Sequence, residues 1–178
     1  MKSKKTKPFG SWPSPLKAED VASGSRGLQN VQRYGNLTYW VEIRPEKDGV
    51  YFLVESDEDE EYRDLTSEEY NVRTRVHEYG GGAFLIHEGT AYFSNFEDQR
   101  IYRRDVGGEI RPITPDLPFR YADCIFDQNN ERLICVGEDH GSEEVENKLV
   151  AVDPQDGSGP ETLVSGEDFY SSPRLSPD

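Results

Sequence analysis

The residues best suited to chemistry lie together in the run 71–83, which reads NVRTRVHEYGGGA. A guanidinium such as that of Arg75 pairs well with a carboxylate, the Glu78 carboxylate suits an amine, and the Tyr79 hydroxyl donates a hydrogen bond. His77, next to Glu78, suits a general base wherever a nucleophile stands nearby. The sequence therefore predicts that Arg75, His77, Glu78 and Tyr79 are substrate-binding residues.

Three consecutive glycines, Gly80–Gly82, follow this set directly. A run without side chains lets the backbone take positive φ or lie close to another segment. The polar residues before it then project from an ordered loop, which is how a sheet scaffold presents recognition residues. An equally open alternative is a salt-bridged turn that closes one sheet and opens the next.

The sequence offers no nucleophile and no metal site, so we predict no catalytic residue, no metal and no cofactor. A Gly-x-Ser-x-Gly elbow is absent, and no glycine loop carries a phosphate-binding lysine. Of the three histidines, His87 is expected to be an exposed strand residue. His140 lies in the acidic loop 137–144, which we expect to be solvated rather than cation-binding. The acidic run 57–61 lacks the alternating ligands of a calcium loop, and we expect a solvated turn.

Composition restricts the possible partners. The formal net charge is −15 over 178 residues, and an acidic surface repels phosphate backbones, so no nucleic acid partner is predicted. No apolar run is long enough for a bilayer. The basic N-terminus lacks the apolar stretch of a signal peptide, which predicts a cytoplasmic location and no membrane partner. Cys124 and Cys135 are accordingly expected to be free thiols, with a disulfide across a hairpin as the alternative.

Short β runs separated by turn residues fill the chain after an N-terminal arm, residues 1–27. Four strands recur in roughly 45 residues, the size of one propeller blade. We therefore predict an all-β fold, an incomplete β-propeller over 28–178 with about three four-stranded antiparallel blades and the start of a fourth. The blades are placed at about 28–70, 80–115 and 119–166, with the next beginning as an inner strand at 168–178. An antiparallel sandwich, whose strands have similar spacing, is the alternative fold.

Three blades and a fragment do not close a ring, because propellers typically have four to eight blades. Open blade faces and sheet edges would be exposed to water. The pattern thus predicts a piece of a longer protein.

Several segments resemble one known family over essentially the whole chain, in order from Pro8 to Asp178. They are PFGSWPSP at 8–15, the run 71–82, YFSNFEDQRIY at 92–102, RYAD at 120–123 and DFYSSPRLSPD at 168–178. Together they resemble the N-terminal part of the prolyl oligopeptidase family of serine peptidases, in its dipeptidyl aminopeptidase and acylaminoacyl-peptidase branch.

This resemblance implies an N-terminal propeller that filters peptide substrates for a C-terminal α/β-hydrolase domain with a Ser-Asp-His triad. The hydrolase domain is absent from the sequence, so the chain is expected to be inactive alone and to need that domain as a partner. The N-terminal arm would lie near the hydrolase domain, and residues 75–79 near the substrate channel. The alternatives are a non-catalytic propeller that binds proteins or peptides, and an inactive gene fragment.

Overall fold

The computed structural model describes residues 5–18, 20, 24–58, 61–155 and 157–176. Within them the chain forms twelve β-strands and one short 3₁₀ helix, Pro45–Lys47. The first four strands are β1 (Gly27–Tyr34), β2 (Leu37–Arg44), β3 (Val50–Ser56) and β4 (Tyr62–Asp64). The next four are β5 (Phe84–His87), β6 (Thr90–Ser94), β7 (Ile101–Arg104) and β8 (Ile110–Pro112). The last four are β9 (Phe119–Asp127), β10 (Arg132–Asp139), β11 (Glu146–Val152) and β12 (Glu161–Ser165).

These strands form three four-stranded antiparallel sheets, each with its strands in sequential order. Sheet 1 contains β1–β4, sheet 2 contains β5–β8 and sheet 3 contains β9–β12. Such consecutive meanders are the blades of a propeller. The predicted all-β propeller architecture is therefore confirmed, and the sandwich alternative is not what the chain adopts.

Apolar side chains between neighbouring sheets form the core. Sheets 1 and 2 pack through a cluster that includes Tyr39, Leu53 and Phe93, each at most 1% exposed. Sheets 2 and 3 pack through a second cluster that includes Ile101 and Tyr121. Burying a side chain of this size contributes about 1.5–3 kcal/mol. The modest apolar content of the chain is thus concentrated in thin layers between blades.

A polar contact also joins sheets 1 and 2. The side-chain amide of Gln32 on β1 donates to the carbonyl of Phe84 at 2.8 Å and accepts from the N–H of Ile86 at 2.9 Å. Both partners lie on β5, the first strand of sheet 2. The Gln32 side chain thereby satisfies one N–H and one carbonyl on the outer edge of β5, the edge strand of sheet 2. This contact covers part of a strand edge that would otherwise be open.

The two ends of the propeller region depart from regular strand periodicity. β1 forms at the start of the blade predicted over 28–70, although Leu28 and Val31 are exposed and Asn30 has a positive φ of 53°, which breaks the apolar alternation. The inner strand expected at 168–178 is not formed in its described part, residues 168–176, while residues 177 and 178 lie outside the described residues. No neighbouring strand pairs with this segment in the described structure, and Tyr170 instead packs on a cluster around Val76.

The expectation of free thiols at Cys124 and Cys135 is wrong for this structure, because the two form a disulfide. They lie on the paired strands β9 and β10, with their Cα atoms 4.1 Å apart. A bulge in this pairing brings the two side chains to the same face of the sheet. The hairpin alternative is therefore the one that the chain adopts.

The N-terminal arm carries exposed apolar side chains, among them Phe9, Trp12 and Leu16. Its described residues before Gly27 contribute no strand to the three sheets. In the part of the chain that the structure describes, no helix has the length and apolarity needed to span a bilayer.

Candidate functional site

The four candidate residues lie in one tight turn, residues 75–80, between the last strand of sheet 1 and the first strand of sheet 2. The N–H of Glu78 donates to the carbonyl of Arg75, and the N–H of Gly80 donates to the carbonyl of Val76, both at 2.9 Å. His77 and Glu78 have positive φ values of 55° and 65°. Two consecutive left-handed non-glycine residues cost about 1–3 kcal/mol each, and such strain clusters at binding and catalytic sites.

The triple glycine performs both of the roles considered for it. Gly80 has a positive φ of 88°. Gly82 instead lies against Asp123 of β9, and a Cβ at Gly82 would be 2.8 Å from the Asp123 carboxylate. The Gly82 N–H donates to Asp123 Oδ1 at 2.6 Å, and the Asp123 N–H donates to the Gly82 carbonyl at 2.8 Å. The glycines thus seat the end of the turn directly on sheet 3.

Sheet 3 also holds the strained part of the turn. The N–H of His77 donates to Glu138 Oε1 on β10 at 2.7 Å. Arg120 on β9 donates through Nη1 to the Arg75 carbonyl at 2.9 Å and to Glu78 Oε1 at 2.7 Å. The same guanidinium lies 3.3 Å from Glu138 Oε2, and His140 Nε2 lies 3.0 Å from that oxygen. This network offsets the cost of the positive φ values.

A second support comes from the β6–β7 connection of sheet 2. The Gln99 side chain accepts from the N–H of Arg75 at 2.8 Å and donates to the carbonyl of Phe96 at 2.8 Å. The Asn95 side chain accepts from the N–H of Asn71 at 3.0 Å. Gln99 and Asn95 are both buried. The backbone before the turn is therefore fixed on sheet 2, and the turn itself on sheet 3.

The four candidate side chains are presented differently. The Arg75 guanidinium lies 4.0 Å from the centre of the Phe96 ring, a cation–π contact, and Arg75 is half-buried. The His77 ring packs against Tyr79 and Phe169, and its Nε2 is buried without a hydrogen-bond partner among the described residues. The Glu78 side chain is 81% exposed, and Tyr79 is 80% exposed. Glu78 and Tyr79 are thus the accessible pair.

Electrostatics keep Glu78 charged. The hydrogen bond from Arg120 lowers the pKa of the Glu78 carboxyl below its ordinary value, and the positive charge of Arg120 adds to the effect. The carboxylate contacts Arg120 through Oε1. Beside the turn lies a small cavity of about 100 Å³, lined by Asn30, Arg73, Tyr79 and Gly80 among others. Tyr79 thus lines this cavity, whereas Glu78 directly precedes Tyr79 and is not among the lining residues.

Sequence reasoning missed Arg120, Glu138, His140 and Gln99 as parts of the site. Arg120 and Gln99 stand in segments that carry the family resemblance, but nothing in their spacing indicates contact with the turn. Glu138 left one signal in the sequence, a carboxylate two residues after the apolar run of β10, and the structure shows it to be 5% exposed. His140 was expected in a solvated loop, yet it is half-buried against Glu138.

The remaining histidine and the acidic loops do not join this site. His87 was expected to be exposed, but it is half-buried and stacks on Phe126 with ring centres 3.7 Å apart. Among the described residues, no group of three or more His, Cys, Asp or Glu side chains is arranged to hold a metal ion. In the acidic run 57–61, residues 59 and 60 lie outside the described residues.

The sequential four-stranded sheets define the chain as part of a β-propeller, and the turn 75–80 between sheets 1 and 2 carries the candidate polar residues. No family model and no curated protein matches the chain. Solved structures do match it. A Mycobacterium tuberculosis puromycin-hydrolyzing peptidase is 33% identical with a TM-score of 0.86, and covers 98% of this chain and 30% of its own length.

Two further structures agree with this match. A puromycin hydrolase is 30% identical over 97% of this chain, with a TM-score of 0.82. A mutant of puromycin hydrolase complexed with PGG is 29% identical over 90% of this chain, with a TM-score of 0.76. The chain is therefore the N-terminal propeller portion characteristic of prolyl oligopeptidase family peptidases, which confirms the resemblance. It spans 27–30% of the length of these three proteins.

Proposed function

We propose that this chain is the substrate-gating and peptide-binding portion of a serine peptidase whose hydrolase domain lies outside it. The observation that carries the proposal is the turn 75–80, in which a charged, exposed Glu78 directly precedes Tyr79, a residue that lines a small cavity. The similarity to puromycin-hydrolyzing peptidases supports an oligopeptide or aminoacyl amide as the substrate class. A serine in the missing domain would attack the carbonyl, with histidine as its general base.

In this proposal the turn recognises the amino end of the substrate. The Glu78 carboxylate, held ionised by Arg120, binds the ammonium group by a charge-assisted hydrogen bond. The Tyr79 hydroxyl donates to a substrate carbonyl, and the Arg75 guanidinium takes a carboxylate when the substrate carries one. His77 contributes an apolar ring surface rather than a base, because its ring packs between Tyr79 and Phe169.

Calorimetric titration of the chain with a tripeptide amide tests this binding role. The free-amine peptide is expected to bind about tenfold more tightly than its N-acetylated form, since acetylation removes one charged hydrogen bond. Glu78→Gln should abolish that difference. Glu109→Gln, an exposed glutamate in the β7–β8 connection, is the matched control and should keep it. Equal affinity of the two peptides for the unmodified chain would contradict the proposal.

A catalytic assay separates the gating role from an independent enzyme. The purified chain is expected to release no chromophore from aminoacyl arylamides, because its sequence carries no Gly-x-Ser-x-Gly elbow. Turnover that survives purification to homogeneity would show that the chemistry lies within the chain. Peptide binding that does not depend on the N-terminal amine would instead favour the rival function, a non-catalytic peptide-binding propeller.

Location and partners remain part of the proposal. The net charge of −15 supports our prediction that nucleic acid is not a partner. A cytoplasmic location stays a prediction, and the Cys124–Cys135 disulfide weighs against it because such bridges are rare in reducing compartments. Alkylation of the protein in lysed cells, followed by mass spectrometry of the cysteine peptides, tests the location. Unalkylated, bridged cysteines would contradict it.

A further inference from the structure

The disulfide and the contact that seats the triple glycine occupy the same point of sheet 3. The pairing of β9 with β10 shifts register between Ile134 and Val136, so that Cys135 alone faces the two residues Asp123 and Cys124. Asp123 has a positive φ of 51°. A bulge of this kind redirects the side chain that it carries. Here the redirected side chain is the carboxylate that accepts from Gly82.

The disulfide therefore holds the bulge in place, because Cys124 is the residue next to Asp123 in the bulge. Cys124 follows Asp123 directly, and its covalent bond to Cys135 prevents β9 from sliding along β10 into a regular register. A regular register would turn the Asp123 side chain to the opposite face of the sheet. Gly82 would then lose both hydrogen bonds to Asp123.

The same pair of strands carries the other two supports of the turn. Arg120 on β9 faces Glu138 on β10 in the strand pairing. Arg120 and Glu138 contact the backbone of the turn at Arg75 and His77. The disulfide thus cross-links the two strands that together hold the strained residues in place.

We propose that the Cys124–Cys135 bridge is a redox-controlled brace for the turn 75–80. A dithiol reductant that opens the bridge relaxes the bulge, separates Gly82 from Asp123 and increases the mobility of the turn. The effect of this change on peptide binding rests on the function proposed above. The conformational change itself does not.

The exchange reaction balances with the dithiol as the two-electron donor. Cys135 is fully buried whereas Cys124 is partly exposed, so the attacking thiolate forms its new bond to Cys124 Sγ. The S–S bond breaks, and Cys135 leaves as a thiolate that takes up a proton. The second thiol of the reductant then attacks the mixed disulfide, releases Cys124 as a thiol and leaves as an oxidised cyclic disulfide. Reoxidation by a disulfide oxidant reverses the sequence.

Hydrogen–deuterium exchange of the whole chain, with and without dithiothreitol, tests the brace. Alkylation and mass measurement verify that reduction is complete. We expect the amides of residues 76–82 to exchange about tenfold faster after reduction, because local opening becomes easier. The amides of β2 and β3 in sheet 1 should keep their protection.

Variants separate the bridge from the bulge. The double variant Cys124→Ala, Cys135→Ala should exchange rapidly at residues 76–82 with or without reductant. Asp123→Gly tolerates the positive φ and keeps the bridge but removes the carboxylate, and it should show the same fast exchange before reduction. Glu131→Gly, also at positive φ in the β9–β10 hairpin, is the matched control and should respond to dithiothreitol as the unmodified chain does.

Three results would overturn the brace. They are unchanged exchange at residues 76–82 after full reduction, loss of protection in sheet 1 together with the turn, and two free thiols that a disulfide oxidant does not bridge. Affinity for the free-amine tripeptide amide should fall when the exchange rate rises. Faster exchange without any amine-dependent binding would leave the brace intact and contradict the proposed function instead.

Discussion

Glu138, buried on β10, accepts a hydrogen bond at 2.7 Å from the backbone N–H of His77, which lies 61 positions earlier in the chain. The second oxygen of the carboxylate faces Arg120 at 3.3 Å. A buried charge is tolerated when it is paired and hydrogen-bonded, and this one meets both conditions. The Glu138 carboxylate therefore holds His77, a residue with positive φ that is distant in sequence, on the surface of sheet 3.

The variant Glu138→Gln should lower the free energy of unfolding by about 1–3 kcal/mol. The amide still accepts from His77, but Arg120 loses its buried counter-charge. Urea denaturation followed by circular dichroism measures the change. Glu161→Gln removes an exposed partner of Arg132 and should change stability by no more than about 0.5 kcal/mol. Equal effects of the two substitutions would mean that Glu138 is not a support of the turn.

The contact between Arg120 and Glu78 should depend on pH in the acid range. Because the pKa of Glu78 is lowered in the folded chain, the contact is fully present above the ordinary glutamate value of about 4.3. It is lost as pH falls through the lower folded value. Carboxyl carbon chemical shifts of the labelled chain measure the midpoint. Arg120→Gln should return the Glu78 midpoint toward the ordinary value, and an unchanged midpoint would contradict the pairing.

A methyl group at Gly82 should be costly. The Cβ would lie 2.8 Å from Asp123 Oδ1, and moving that oxygen away breaks its hydrogen bond to the Gly82 N–H. Gly82→Ala is therefore expected to destabilise the chain by about 1–3 kcal/mol. At Gly159 the nearest atom to an added Cβ is 3.9 Å away and φ is not positive, so Gly159→Ala is the matched control. A Gly82 variant as stable as the control would rule out close packing of the turn on sheet 3.

Removal of the Gln99 amide should loosen the approach to the turn. In Gln99→Leu the N–H of Arg75 and the carbonyl of Phe96 both lose their partner, which costs about 1–3 kcal/mol when the groups stay buried. Hydrogen exchange at Arg75 should accelerate. Gln128→Leu in the exposed β9–β10 turn should leave that amide unchanged. Protection of Arg75 that persists in the Gln99 variant would locate its support elsewhere.

The periodicity of the strands was readable from the sequence, whereas the supports of the turn were not. Strand spacing and turn residues are local properties, and they predict three meanders and a loop or turn that leads into the triple glycine Gly80–Gly82. The contacts of Arg120 and Glu138 with that turn depend on how sheet 3 packs beside sheet 2, which no local pattern records. The prediction of free thiols fails for a similar reason: it rests on the expected compartment, and the bulge that brings Cys124 to Cys135 leaves no local pattern in the sequence.

The turn connects two sheets along the chain, but part of its support comes from a third sheet. Residues 75–80 continue from sheet 1 into sheet 2, yet Arg120 and Glu138 fasten them to sheet 3. A rotation of any one sheet against its neighbour would stretch or compress these contacts. The positions of the exposed Glu78 and Tyr79 consequently depend on the angles among the three blades. A wider angle between sheets 1 and 2, or between sheets 2 and 3, would move both side chains at once.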